Sequence, residues 1–443
     1  MALSGLDIYK LLPKTNCRKC GFPTCLAFAM QLAKKAVELT KCLEITKEAK
    51  VLLESSAQPP IKLVTVGAGE NKLEIGNENV LFRHEEKFFR PAGIGIILED
   101  SLSDAELSNR ISQINKLHFE RIGQNISVNL IAIKQVSADK AKFINAVKKV
   151  SELTKLGLVL YSSDAESIRP AAQLTANRKP LVYAADKNNY KELAKIAKEF
   201  SLPLAIKEEN LEKLSELSGA VSSEGASELL LDTSDKPINE KIWDLTQIRR
   251  LALKKNFRPF GYPAISVVKN KDNYEQIIEA GIYVLKYSAI VLLEGFAPEE
   301  ILPLLTLRQN IYTDPQKPLQ VEPKAYPIGQ VSVNSPVLIT TNFSLTYYTV
   351  LSELEASKIP SYLVSVDTEG MSVLTAWAAE KFTPEKISES INKFEIPQKV
   401  NHKQIIIPGY VAVMSGDLEE KSGFKVVVGP KEAAGIPSFL RNL

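Results

Sequence analysis

The stretch GIGIILEDSLSDAELSNRISQINKLHFERI, residues 93–122, sets the pattern for half of the chain. It opens on an unbroken apolar run, GIGIIL (93–98). A short continuous run of that kind is what a strand buried on both faces requires. The segment SDAELSNRISQINKLHFERI (103–122) then carries apolar residues three and four apart, the spacing of an amphipathic helix. Seven further strand-sized runs follow: SVNLIAI (127–133), GLVLYS (157–162), PLVYAA (180–185), LPLAIK (202–207), ELLLDT (228–233), AISVVK (264–269) and AIVLLEG (289–295). Each leads into a helix-length segment. Strands alternating with helices imply parallel βα units. Eight such units between about 90 and 313 match the count of a closed (β/α)8 TIM barrel. The competing arrangement is an open doubly wound sheet, but no phosphate-binding glycine fingerprint opens the first unit.

Working outward, residues 1–57 read as a small helical domain, with one helix expected over 25–50. AQPP (57–60) breaks that pattern, and a linker runs on to about 90 within a barrel domain of 58–313. On the other side, 314–336 belongs to a stretch (313–336) with five prolines and no helical period, and reads as an extended linker. Residues 337–443 then give four more strand-and-helix repeats, opening on VLITT (337–341), SYLVSV (361–366), QIIIPG (404–409) and KVVVGP (425–430). They predict a compact Rossmann/flavodoxin-like α/β domain, whose ligands sit beyond the C-terminal ends of the strands. The loops at those ends are rich in small residues. The fold class is thus α/β multidomain: a helical head, a barrel and a C-terminal α/β domain.

Composition excludes several function classes. Basic and acidic residues nearly balance, 55 against 52, so no electrostatic footprint for nucleic acid or an anionic membrane surface is present. The opening MALSGLDIYKLLPKTNC shows no secretory signal, and no run approaches the roughly 20 apolar residues that span a bilayer. A cytoplasmic location is expected.

All four cysteines stand in the head, spaced Cys17-x2-Cys20-x4-Cys25-x16-Cys42. Clustered cysteines in a cytoplasmic chain point to a metal site rather than disulfides. Thiolates serve both structural zinc and iron–sulfur clusters. A zinc ribbon shows two close cysteine pairs, whereas here three cysteines bunch and one is remote. The head holds no histidine, which removes mixed Cys/His zinc sites. Gly21 and Pro23 supply a tight turn. A [4Fe-4S] cluster on Cys17, Cys20, Cys25 and Cys42 is the reading favoured over zinc.

NCRKCGFPTCLAFAMQLA (16–33), with the C-terminal loops TTNFSLT (340–346) and DTEGMSVLTAWAA (367–379), resembles the large (gamma) subunits of the corrinoid iron–sulfur proteins of the reductive acetyl-CoA pathway. The resemblance covers the whole chain. It implies a methyl carrier with two cofactors, a [4Fe-4S] cluster and a cobalamin-type corrinoid. Its cobalt, as Co(I), would take a methyl group from methyltetrahydrofolate or a related pterin on a methyltransferase. It would pass the group to the nickel cluster of acetyl-CoA synthase/CO dehydrogenase, while the iron–sulfur cluster returns Co(II) to Co(I). The resemblance also implies a heterodimer with a smaller TIM-barrel subunit. On this reading the chain is a methyltransferase component rather than a stand-alone enzyme. No Asp-x-His-x-x-Gly motif offers a lower cobalt ligand: the histidines are His84, His118 and His402, and His402 reads as a solvent-facing residue before a strand. The missing motif is consistent with the base-off corrinoid expected on this resemblance.

The corrinoid contacts this implies begin with Thr340, Asn342 and Thr346 in the first loop. Gly370, Met371, Ser372, Val373, Leu374 and Thr375 come next, where a helix N-terminus offers free amides. Ala433, Ala434 and Gly435 complete the set, as small residues beside the macrocycle. No catalytic residue is assigned. The barrel strand ends carry Glu99, Asp100, Ser162, Ser163, Asp186, Glu208, Glu209, Asp232, Asn270 and Glu294, which form no convincing acid/base set, so the barrel reads as a scaffold that caps the corrinoid and docks partners. The alternative function is a barrel enzyme with a structural zinc head and a nucleotide in the C-terminal sheet. Neither a Gly-x-Gly-x-x-Gly turn nor a P-loop lysine supports it.

Overall fold

Eight parallel strands close into a barrel in the computed structural model, which describes residues 5–33, 37, 39–46, 49, 53, 59–121, 124–233, 235–269, 272–315 and 317–443. The chain divides into two units, Met1–His118 with Ser127–Tyr312, and Phe119–Ile126 with Thr313–Leu443.

The first unit begins with helices Gly5–Leu11 and Cys25–Ala33, packed around Ile8, Leu12, Phe28, Ala29, Leu53 and the buried Cys25 and Cys42. The single helix expected over 25–50 does not form. Its described helical part is Cys25–Ala33, and Cys42 follows a short 3-10 turn, Leu39–Lys41, with its N–H bonded to the Leu39 carbonyl at 3.0 Å. The reason is geometric. Seventeen residues of straight helix would carry Cys42 about 25 Å from Cys25. The break folds it back into the same core.

Within the expected linker to 90, β1 (Val64–Val66) and β2 (Leu73–Ile75) form an antiparallel pair. Their apolar side chains join the barrel's interior cluster. Leu73 fills the space above Gly93, where a Cβ would meet its Cδ2 at 2.4 Å. The N–H groups of Thr65 and Gly67 bond to Glu228 and Lys179, both just ahead of barrel strands. The pair therefore plugs the N-terminal end of the barrel.

The barrel strands are β3 (Gly93–Glu99), β6 (Leu130–Lys134), β7 (Gly157–Tyr161), β8 (Leu181–Ala185), β9 (Leu204–Lys207), β10 (Leu229–Asp232), β11 (Ala264–Val267) and β12 (Ser288–Leu293), in chain order around the closure. They coincide with the eight apolar runs. Each is followed by a helix, among them Asp104–Ile114, Ile238–Lys255 and Asn273–Leu285. Ser103 and Glu106 form a capping box on the first, and Asp139, Asp164, Asn210 and Asp272 cap others. The first helix is shorter than expected. It stops at Ile114, the last residue its buried face can use, and β4 (His118–Arg121) and β5 (Gln124–Ser127) pair beyond it. Exposure alternates along β4 with period two, which is a strand signal hidden inside a helical-looking segment.

The second unit holds a five-stranded sheet: β13 (Ala325–Ile328), β14 (Val337–Thr341), β15 (Ser361–Val366), β16 (Gln404–Ile407) and β17 (Lys425–Val428), in the order β13-β15-β14-β16-β17. The last four are parallel; β13 runs antiparallel to β15. Residues 325–328 thus correct the reading of 314–336 as plain linker. Pro327 is tolerated there because β13 is an edge strand. Val337, Ile339, Val364, Ile405 and Ile407 pack under helices Val373–Ala378, Pro384–Lys393 and Ser415–Ser422. Leu338, Leu363 and Ile406 face the other way, toward Ser344–Ser357 and Ile436–Arg441. Helices therefore cover both faces, and the alternation of side chains along each strand separates the two cores. No helix among the described residues is long and apolar enough to cross a membrane.

Candidate functional site

The loop before the second helix of the head takes left-handed backbone at Lys14, Asn16 and Arg18 (φ 59°, 49° and 62°) and again at Gly21 (φ 84°). Left-handed residues at every second position turn successive N–H groups to one side, the arrangement that receives anions and iron–sulfur clusters. The Cys25 N–H bonds to Asn16 Oδ1 at 2.8 Å, which ties the loop to the helix. Cys17 is exposed, Cys20 half-buried, Cys25 and Cys42 buried. Burial pushes the Cys42 thiol above its ordinary pKa, and the fields of Cys20, Cys25 and Cys17 push it further. The four thiols therefore share one neighbourhood. Among the described residues no three His, Cys, Asp or Glu side chains stand at metal-ligating distance of one another. The donor chemistry is all sulfur, and it fits a thiolate-held group.

The other concavity lies at the C-terminal ends of β14 and β16. The chain leaves β14 toward β15 on one side and reaches β16 and β17 on the other. Loops after these two strands diverge and leave a crevice, the usual ligand position in such sheets. The cavity there has a volume of about 410 Å³. Leu338, Ile339 and Thr340 make its floor, with Ile406, Ile407 and Pro408 beside them. Phe343, Leu345, Thr346, Thr349 and Val350 wall one side; Ser372, Val373, Leu374, Tyr410, Lys431, Ala433 and Ile436 wall the rest. Three large apolar side chains of its lining stand exposed: Leu345, Leu374 and Tyr410. Such exposed apolar groups beside one crevice mark a surface meant to be covered.

Polar groups in the crevice are few. Thr340 is 1% exposed, and its hydroxyl has no hydrogen-bond partner. Ser365, its register partner on β15, likewise has a buried unpartnered hydroxyl. A buried hydroxyl without a partner costs about 1–3 kcal/mol. At the rim the Tyr410 hydroxyl donates to Glu432 at 2.5 Å, which raises its pKa.

Of the twelve residues expected here, Thr340, Thr346, Ser372, Val373, Leu374 and Ala433 line the cavity. Asn342, Gly370, Met371, Thr375, Ala434 and Gly435 are not among its lining residues. Asn342 is spent on the fold. Its Oδ1 accepts from the N–H and hydroxyl of Thr368 and the N–H of Gly370 at 2.9–3.0 Å, and its Nδ2 donates to Gln320 and Asp367. This knot holds residues 367–370 in place. Gly370 has φ +75°, and a Cβ there would meet Gln320 Cγ at 2.7 Å, so only glycine fits. Met371 packs into the core and the Thr375 hydroxyl pairs with Ser372. The helix that starts at Val373 spans six residues. Sequence reasoning missed the helix face of Leu345, Thr349 and Val350, and Tyr410; position directly after a strand was the available signal. His402 is not solvent-facing: it is half-buried ahead of β16, Nε2 2.9 Å from the Ser335 carbonyl. No histidine lines the cavity.

Comparison with known proteins adds the following. A family model described as CO dehydrogenase/acetyl-CoA synthase delta subunit matches residues 63–440, and a model of an Fe-S cluster matches residues 12–43. The chain is 47% identical, over 100% of its length and 99% of the relative's, to the corrinoid/iron-sulfur protein large subunit of Moorella thermoacetica. It is 36% identical, over 100% and 99%, to the acetyl-CoA decarbonylase/synthase complex subunit gamma of Methanothermobacter thermautotrophicus. Among solved structures, the 7,8-dihydropteroate synthase of Vibrio fischeri matches with a TM-score of 0.37 at 16% identity, over 56% of this chain and 97% of that one.

Proposed function

We propose that this chain, which belongs to the family of corrinoid/iron–sulfur protein large subunits, is a methyl carrier that holds a base-off corrinoid in the β14/β16 crevice and a [4Fe-4S] cluster on its four cysteines. The observation that carries the reading is the combination, in one chain, of an all-sulfur donor set with an apolar crevice whose buried Thr340 hydroxyl has no internal partner. When bound, the corrinoid supplies the cobalt that carries the methyl group, and the cluster supplies the low-potential electron that keeps the cobalt reactive.

The chain's own residues have distinct roles in this account. Cys17, Cys20, Cys25 and Cys42 would hold the cluster as thiolates, and the left-handed loop would offer it backbone N–H groups. Leu338, Ile406 and Ile436 exclude water from the crevice. Thr340 would donate its orphaned hydroxyl to a polar atom of the ligand, and Leu345, Leu374 and Tyr410 would offer it an apolar surface. With no histidine in the cavity wall, no imidazole is offered as a lower ligand. The sheet order supports a flavodoxin-like reading of the C-terminal domain, in which the crevice is the topological switch point. The domain boundaries we favour are a head of 1–57, a barrel to 313 and a corrinoid domain from 337, with β13 borrowed from the connecting stretch.

The partners follow from the family. A smaller barrel subunit would complete the corrinoid's enclosure, a methyltetrahydrofolate methyltransferase would load the methyl group, and acetyl-CoA synthase/CO dehydrogenase would receive it. The test is methyl transfer by the full chain with its small subunit. Wild type should turn over with both partners, and Leu338→Asp, which puts a charge on the crevice floor, should lose corrinoid and transfer together while keeping iron. Unchanged corrinoid content in that variant would place the cofactor elsewhere.

A further inference from the structure

The apolar lumen of the barrel is topped by a layer of polar side chains. Ile97, Ala132, Val159, Ala205, Leu230, Val267 and Leu292 belong to the buried interior cluster. Side chains two residues apart on a strand share a face. The next inward positions toward the C-terminal end are therefore Glu99, Lys134 and Tyr161 on β3, β6 and β7. On the far side they are Lys207 and Asp232, with Lys269 and Glu294 just past the ends of β11 and β12. Tyr183 of β8 completes the circuit, its hydroxyl donating to Asp232 Oδ2 at 2.5 Å. Every strand end thus contributes to the mouth, and the C-terminal mouth is where barrels of this kind bind their ligands. The strand-end reading named acids, serines and one asparagine, and missed the lysines and tyrosines.

The pairing within the layer is uneven. Lys134 lies between two wall carboxylates, Glu99 at 3.5 Å and Glu294 at 3.9 Å. Asp232 is buried and held by Lys241 at 2.5 Å. Lys207, at the end of β9, and Lys269, two residues past β11, instead converge on Asp235, at 3.2 and 2.9 Å. Asp235 stands on the loop beyond β10, not on the wall, and its side chain is 49% exposed.

We propose that the barrel mouth binds a small oxyanion, a carboxylate or phosphate group, between Lys207 and Lys269, and that Asp235 is the internal carboxylate such a ligand displaces. Lys134 is shared by two carboxylates, Glu99 and Glu294, so losing one contact leaves it the other. The Lys207 and Lys269 pair is neutralised by a group on a loop, in contact with water, whose removal leaves two cations facing one point. Exposed ion pairs of this type are worth little, so exchange for an external anion is cheap. Tyr161 stands in the same layer, its ring 4.5 Å from that of Tyr183. Burial, then the fields of Asp232 and Asp235, push its pKa to about 12, so it remains a hydrogen-bond donor at any physiological pH. This inference does not depend on the crevice or the cysteines.

The test uses the full chain and two probes, inorganic phosphate and succinate, titrated at constant ionic strength against chloride. Binding is read from melting temperature and from phosphorus or proton line widths. Asp235→Asn should bind at least one probe about tenfold more tightly than wild type, because the internal competitor is gone. Adding Lys207→Met and Lys269→Met should abolish the response. Lys269→Gln alone, at a side chain 47% exposed, should weaken it in an otherwise native chain and carries the test if Asp235→Asn folds poorly. Which probe binds distinguishes a carboxylate site from a phosphate site. Equal dependence in wild type and Asp235→Asn, or a response that survives loss of both lysines, overturns the proposal.

Discussion

Thr340 and Asn342 stand two residues apart and do opposite things. Thr340 holds a buried hydroxyl with no partner inside the chain, so in corrinoid-free protein it is a cost of about 1–3 kcal/mol. Thr340→Val keeps the shape and removes that cost. The variant should raise the denaturation midpoint of corrinoid-free protein and, measured on the same preparation, lower corrinoid affinity. A fall in both would mean the hydroxyl already has a partner. Asn342 satisfies five groups at once, and Asn342→Ala strands the buried N–H groups of Thr368 and Gly370. It should cost about 3 kcal/mol in denaturant unfolding, whether or not corrinoid is present. Both residues looked alike in the sequence, as polar residues after a strand. What separates them is register. Thr340 is still on β14 facing the crevice, while Asn342 has crossed onto the loop and bonds residues 25–28 positions away. Contacts at that separation leave no mark in local sequence.

Elements were more legible than residues. All eight barrel strands stand out because a strand buried on both faces must be apolar throughout, and loops cannot imitate that run. Helix ends were less readable. Residues 118–121 continue an apparently helical segment, yet pair as a strand, and the segment that starts as a helix at Cys25 is a 3-10 turn by Leu39–Lys41. The β1–β2 plug was invisible because its strands are three residues each. Its contribution is checkable: Leu73→Ala, which empties the space above Gly93, should cost about 3 kcal/mol in stability, and a cost near zero would show that the plug is dispensable. The mouth layer makes a second prediction. Burial, then nearby carboxylates, raise Tyr161 and Tyr183 above the ordinary phenol value. A raised folded-state pKa means the unfolded chain ionises first as pH climbs past about 10, so stability present below that point is lost above it. In alkaline titration, phenolate absorbance from these groups should appear together with loss of circular dichroism. Fourteen tyrosines titrating in one phase near the ordinary value, with the fold intact, would contradict the assigned burial.

At the scale of the whole molecule, the chain pairs a metal-binding head with an apolar crevice, and neither part alone accounts for the other. The cysteine count announced the head, since cysteines are scarce and all stand together. The crevice was half-legible. Small residues at strand ends pointed to the edge where the crevice lies, but the apolar helix face that walls it could be any core. The account stands or falls on one measurement: iron, cobalt and zinc determined on the same sample of full-length protein purified without oxygen, for wild type and for Cys20→Ala. The prediction is about four iron per cobalt and no stoichiometric zinc in wild type, with iron lost and cobalt retained in Cys20→Ala. Zinc in place of iron, or cobalt that leaves with the iron, would contradict it.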